Sequence, residues 1–432
     1  MIDVIWPVWL GRNLTLLFAQ RGLRSLTQAY LIIIVPIYLA RLEFGAIEIG
    51  FLFTASAVSS ALLTAAVGLL SDRYGRKLFL ILFAMLTSIG ALIFALSTDF
   101  LVLAVAAAAS TLGRGGGAGS GGAWGPFYPA EQALLAEQAG ERDRTTIFSA
   151  VSFVGVLAGA LGSLFALLPA ALGLWLGLSL LDGDRVLFAI TVGLGIAMTI
   201  MVLPVRERIT PRPKLPGPRQ RWSLSPRTLD LVLRFAATNF TNGLAIGLLG
   251  PLLVYWFHRR YGVGGAELGS LFFLVNLATA PSYLLAPRLT RMLGAVNTVV
   301  TTRAISVILL AVLAVMPTFL LAAGLYLARM VAVTLSTPVR QSYLMGIVDP
   351  RERASAAGLS SLPSQVASST TPPLAGYMMQ TISLDLPLEL AAFLQAINTA
   401  LYYLFFRKIR PPEEMPPAKW EEAGPDNPDL SG

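Results

Sequence analysis

Four ionisable residues inside long apolar runs need weighing: Arg24, Arg114, Glu131 and Arg329. A charge at membrane depth costs about 3 kcal/mol or more on insertion scales, so such residues are functional candidates by default. Arginine there can grip an anion or bond to loosened backbone carbonyls. A carboxylate there can carry a proton or pair with arginine. Glu131 stands seven residues before Gln138, roughly 10 Å inside a helix end at about 1.5 Å per residue. That shallow depth favours a gate pair with Arg76 or another loop arginine, with the coupling proton as its other role. Arg114 opens a glycine-rich stretch whose carbonyls offer it a structural place instead of a coupling one. Arg24 sits one turn from Arg21, and snorkelling to the interface is its alternative. Gln28, Asn239, Asn242, Asn276 and Gln365 add neutral polar groups suited to a substrate cavity.

Several other chemistries are excluded. The chain has no cysteine and one histidine, which removes disulfides, thiolate nucleophiles and Cys/His zinc sites. His258 lies beside Arg259 and Arg260 in a short loop, where a solvated side chain is expected. No clustered nucleophile, base or metal site emerges, so no catalytic residue, no metal and no cofactor is expected. A phosphate-binding GxxxxGK[ST] loop is missing, so ATP is not a direct energy source. The net charge of +8 is spread over short loops and not over one solvated face, so nucleic acid is not an expected partner.

These candidates need a membrane scaffold. Of 432 residues 55% are hydrophobic and 13% charged, whereas soluble domains carry about 25% charged residues. A bilayer solvates that apolar surface, at about 20 residues per helical span. Twelve apolar runs are expected as helices, at 13–39, 46–70, 77–97, 101–138, 146–170, 185–204, 229–257, 265–290, 299–316, 318–346, 354–380 and 387–407. Lipid leaves an unpaired amide no partner, so each must be helical. The fourth run is too long for one straight span and holds GRGGGAGSGGAWG, where a tilted or unwound helix is expected. Segment 205–228 carries seven Lys/Arg and several prolines and reads as an extended basic linker. The acidic, proline-rich tail 411–432 is expected to be disordered. With the linker cytoplasmic, the loops holding Arg73, Arg142, Arg288 and Arg351 are cytoplasmic too, which satisfies the positive-inside rule with both termini inside. Asp3 replaces a basic leader region, so no cleavable signal is expected.

The two halves, 1–204 and 229–410, repeat each other weakly. At an offset of 209, Pro129, Gln132, Leu135, Arg142 and Arg144 match Pro338, Gln341, Leu344, Arg351 and Arg353. At an offset of 219, Gly50, Leu52, Phe53 and Gly75 match Gly269, Leu271, Phe272 and Gly294. Parallel repeats of six helices are a known plan for secondary transporters, with a midplane substrate site and alternating access.

The loop after the second run reads GLLSDRYGRK, from Gly68 to Lys77. It resembles the loop signature of the major facilitator superfamily, in an efflux-like branch with no substrate assigned. The resemblance implies an all-α integral membrane fold of twelve transmembrane helices in two pseudo-symmetric six-helix bundles. It implies a secondary transporter and not an enzyme. The gate residues it implies are Gly68, Asp72, Arg73, Gly75, Arg76 and Lys77. Plain topology is an alternative for the basic ones. Arg114 resembles the helix-four arginine of proton-coupled members. Helix 5 has Gly155, Gly159 and Gly162, but Ser163 stands where the drug-antiporter signature has proline. The expected activity is proton-coupled export of a small neutral or anionic organic molecule by rocker-switch alternating access. Proton-independent anion facilitation or exchange is the alternative, and a transport-dead receptor or membrane enzyme stands behind it. The expected setting is a plasma or inner membrane, with lipids and protons as partners. A monomer suffices.

Overall fold

The computed structural model describes residues 11–110, 112, 125–138, 144–207, 225–250, 252–348 and 352–409. Arg114, most of the linker and the acidic tail lie outside the described residues. All regular structure among the described residues is helical.

Before the linker run α1 (Arg12–Arg41), α2 (Ala46–Tyr74), α3 (Arg76–Leu96), α4 (Phe100–Ser110), α5 (Phe127–Gln138) and α6 (Arg144–Ser163). A single 3-10 turn, Leu164–Leu167, leads into α7 (Leu168–Leu176) and then α8 (Leu180–Val202). After the linker come α9 (Pro226–Leu249), α10 (Leu253–Tyr261), α11 (Gly265–Thr279), α12 (Ser282–Leu293) and α13 (Ala295–Ala314). The chain ends with α14 (Phe319–Ile347), α15 (Arg353–Thr370), α16 (Pro372–Thr381) and α17 (Leu386–Phe406). Nine helical stretches among the described residues are long and apolar enough to cross a bilayer, and α4 and α11 are shorter apolar helices.

Besides 101–138, and 146–170 with its 3-10 turn, three expected spans are interrupted, each beside a proline. Run 229–257 stops at Gly250, run 265–290 between Thr279 and Ser282, and run 354–380 at Thr371. Prolines 251, 281 and 372 stand at these points in the sequence. Proline removes one helical N–H and its ring clashes with the carbonyl four residues back.

The chain forms two compact units. Unit 1 comprises Met1–Pro213, Gly250–Leu277 and Pro372–Leu384. One of its cores is built from Leu17, Leu80, Phe83, Phe127 and Leu134. Within it α2 and α16 touch backbone to backbone. A Cβ on Gly376 would stand 2.2 Å from the Ala46 carbonyl oxygen. Only glycine permits that approach.

Unit 2 comprises Lys214–Leu249, Ala278–Thr371 and Asp385–Gly432. Phe235, Tyr343, Tyr402 and Phe406 form its aromatic centre, with the Phe235 and Phe406 ring centroids 4.3 Å apart. Both units turn large apolar side chains outward, among them Leu101 and Phe153 in unit 1 and Leu320 in unit 2. An apolar exterior of this kind suits a lipid solvent.

Candidate functional site

The signature loop is a tight turn between α2 and α3. Gly75 makes it with φ of +94°, a conformation that a side chain disfavours. The first amides of α3 would be orphaned at a helix start. Glu207 satisfies two of them, accepting from the Arg76 amide at 2.7 Å and the Lys77 amide at 3.1 Å. Its negative charge also suits the positive end of the helix dipole. The Arg76 guanidinium donates to the Ala133 carbonyl and to Glu137, both at 3.3 Å. Lys77 donates to the Leu203 carbonyl. The turn thereby ties α2 and α3 to α5 and to the strand of chain after α8. Gly68, Asp72 and Arg73 lie on α2, and their side-chain surroundings fall outside the described residues.

Glu131 does not meet Arg76. It lies fully buried on α5 and accepts from Arg21 at 2.5 Å and Arg24 at 2.7 Å through the same oxygen. Arg21 and Arg24 are three apart on α1, so they share one helix face. Arg24 also covers the Phe127 ring, 4.8 Å from its centroid. Arg24 is therefore anchored in the protein and does not snorkel to the interface. A second pair in unit 1 joins half-buried Arg41 on α1 to buried Asp184 on α8. Gln28 is half-buried, and its Oε1 has no partner among the described residues. Asn276 donates to the Phe272 carbonyl at 2.8 Å and lies 3.5 Å from the Ser163 hydroxyl.

Unit 2 holds a different arrangement: three arginines without an acid. Arg303 on α13 donates to Ser336 at 2.9 Å and to Asn242 at 3.0 Å. Arg340 on α14 donates to Thr238 at 3.3 Å and to Asn239. It also lies over the Tyr402 ring, 5.6 Å from the centroid. Arg329 is buried on α14, and its Nε has no partner among the described residues. Among the described residues no carboxylate forms an ion pair with any of the three. Every partner of Arg303 and Arg340 is neutral, so the guanidiniums are oriented and their charge is left in place. The two line one narrow crevice with Tyr402 and Asn398, too tight to hold even a water molecule, so it must widen to admit a ligand. Gln365 lies exposed on α15, away from these bonds.

Comparison with known proteins fits this architecture. The family model described as Major Facilitator Superfamily matches residues 17–238 and again 235–428. The chain belongs to the Major Facilitator Superfamily. The double match follows the weak internal repeat. An uncharacterized membrane protein of Saccharomyces cerevisiae is 22% identical over 380 residues, covering 81% of this chain and 84% of that protein. A bacterial homolog of the human lysosomal transporter Spinster, solved in an inward-facing and unoccupied conformation, superposes with a TM-score of 0.71 at 15% identity. That match covers 93% of this chain and 98% of the other. A bacterial homologue of the iron transporter ferroportin gives 0.71 at 15% identity, covering 91% and 98%. This major facilitator protein is a membrane transporter and not an enzyme.

The sequence reading missed Arg303 and Arg340. The signal for Arg340 was present. The 209-residue offset that aligns Pro129 with Pro338 carries Glu131 onto Arg340. The repeat thus inverts charge at one position: an acid clasped by two arginines in unit 1, an arginine held by neutral groups in unit 2. Arg303 had no such marker, because the polar run TTR near the start of α13 reads as a helix end.

Proposed function

We propose that this transporter moves a small organic anion by alternating access, and that Arg303, Arg340 and Arg329 in unit 2 recognise its charge. One observation carries the reading: three arginines within the helices of unit 2 lack any acid partner among the described residues. A desolvated charge without a partner is costly. A ligand of opposite sign removes that cost when it binds. Arginine forks match carboxylate, sulfate and phosphate oxygens bidentately.

The finer parts of the reading are proton coupling and export. Glu131 and Asp184 are the fully buried carboxylates among the described residues, and arginine holds each. Proton and guanidinium then compete for one carboxylate, a competition suited to coupling. The double clasp on Glu131 favours a second reading, anion exchange without protons, because two positive charges oppose protonation. In both readings residues 1–204 and 229–410 are the two six-helix bundles, and the linker side is cytoplasmic.

Uptake into proteoliposomes loaded with or without counter-anion, under an imposed pH gradient or none, tests the proposal. Saturable anion flux is expected, with a response to the pH gradient under the first reading and to counter-anion alone under the second. Flux of organic cations only, or no flux under any gradient, overturns it.

A further inference from the structure

The crevice of unit 2 holds more positive charge than one monovalent anion can answer. Arg303 and Arg340 both face it, and Arg329 is buried on the same helix as Arg340, α14. A guanidinium has five N–H donors. Arg303 uses two on Ser336 and Asn242, and Arg340 uses two on Thr238 and Asn239. Among the described residues the remaining three on each find no protein acceptor. A further donor joins them: the Tyr402 hydroxyl is buried and has no partner among the described residues. The crevice wall between these groups is apolar, formed by Val299, Val300 and the Tyr402 ring.

Resting on the anion reading above, we infer that the ligand presents one head group with two negative charges, of the phosphate-monoester type, on a small apolar body. A carboxylate offers two oxygens and one charge, so it leaves one guanidinium uncompensated. A phosphate monoester offers three terminal oxygens and, above its second pKa of about 6, nearly two charges. Three oxygens can accept from both guanidiniums and from the Tyr402 hydroxyl together. The neutral partners keep both guanidiniums aimed while leaving their charge for the ligand. Val299 and Val300 then cover the apolar remainder.

Phenyl phosphate and phenyl sulfate test this, since they share a shape and differ by one charge above pH 6. Binding of each to the full-length protein in detergent is measured by titration calorimetry at pH 8 and pH 5. The crevice is lined by arginine, tyrosine and neutral side chains, none of which ordinarily titrates in that range. Any change of preference with pH therefore comes from the ligand. At pH 8 phenyl phosphate is expected to bind about tenfold more tightly or better, from one added charge-assisted contact. At pH 5 the gap is expected to close, and Arg340→Gln is expected to close it at pH 8. Equal affinities at pH 8, or a gap that persists at pH 5, overturn the dianion inference and leave the anion reading standing. If neither anion binds to protein with an intact melting transition, both fall. Where Arg340→Gln does not fold, the wild-type comparison across pH decides alone.

Discussion

Glu131→Gln isolates the charge cluster of unit 1. The substitution keeps the side-chain volume and removes the charge that Arg21 and Arg24 share. Both contacts are short, 2.5 and 2.7 Å, and the three side chains are 0–3% exposed. Removing one partner of a buried pair costs about 3–5 kcal/mol, chiefly because the other charge is left unpaired. Here two guanidiniums lose one carboxylate, which places the loss near the upper end, about 5 kcal/mol. Arg24→Gln leaves the Arg21–Glu131 pair intact and deletes one charge-assisted bond, about 1.5–3 kcal/mol. The expected order is therefore Glu131→Gln more damaging than Arg24→Gln. The double variant should cost less than the sum, because the residues are in contact. Unfolding in mixed micelles, followed by tryptophan fluorescence, reads all three. A Glu131→Gln variant within about 1 kcal/mol of wild type, the range of ordinary surface changes, would falsify the cluster as a stabilising unit. So would Arg24→Gln proving the costlier change.

Other perturbations follow from single contacts. Gly376→Val forces a side chain into the Ala46 carbonyl and should lower the melting temperature by several degrees, an overpacking cost of about 1–3 kcal/mol; Gly193→Ala, which meets nothing within 4 Å inside α8, should leave it unchanged or raise it slightly, since alanine favours a helix interior. Glu207→Ala orphans two amides at the start of α3 and should cost about 0.5–2 kcal/mol in the same unfolding assay. Glu352 accepts bonds from the Ser225 amide and hydroxyl, and hydrogen bonding by Thr228 and Ser225 holds its carboxyl below the usual glutamate range. A depressed folded-state pKa stabilises above the unfolded value and is lost as pH falls through the folded one. The wild-type melting temperature should therefore fall more steeply on the acid side than that of Glu352→Gln.

The parts of this protein that read from sequence are those set by local chemistry. Apolar run length and the GLLSDRYGRK loop placed the helices and the α2–α3 turn, since both depend on neighbours along the chain. The broken spans were harder. Prolines 251, 281 and 372 were visible, but a proline can kink a membrane helix or end it, and packing decides which. The partner of Glu131 could not be read from its depth. Arg21 and Arg24 reach it only because α1 and α5 pack together, a contact between residues 107 and 110 apart in sequence. Arg303 was hidden for a related reason. Near a helix start, a basic residue looks like a topology signal until its side chain is seen turned toward Ser336 and Asn242.

The most direct test of the central claim is exchange flux through the reconstituted transporter with the unit 2 arginines intact or removed. Labelled phenyl phosphate entering proteoliposomes loaded with unlabelled phenyl phosphate should saturate, accelerate with internal anion, and vanish in Arg303→Gln and Arg340→Gln variants that still melt cooperatively. Flux that is linear in concentration, indifferent to internal anion and equal in both variants would contradict an arginine-lined anion carrier.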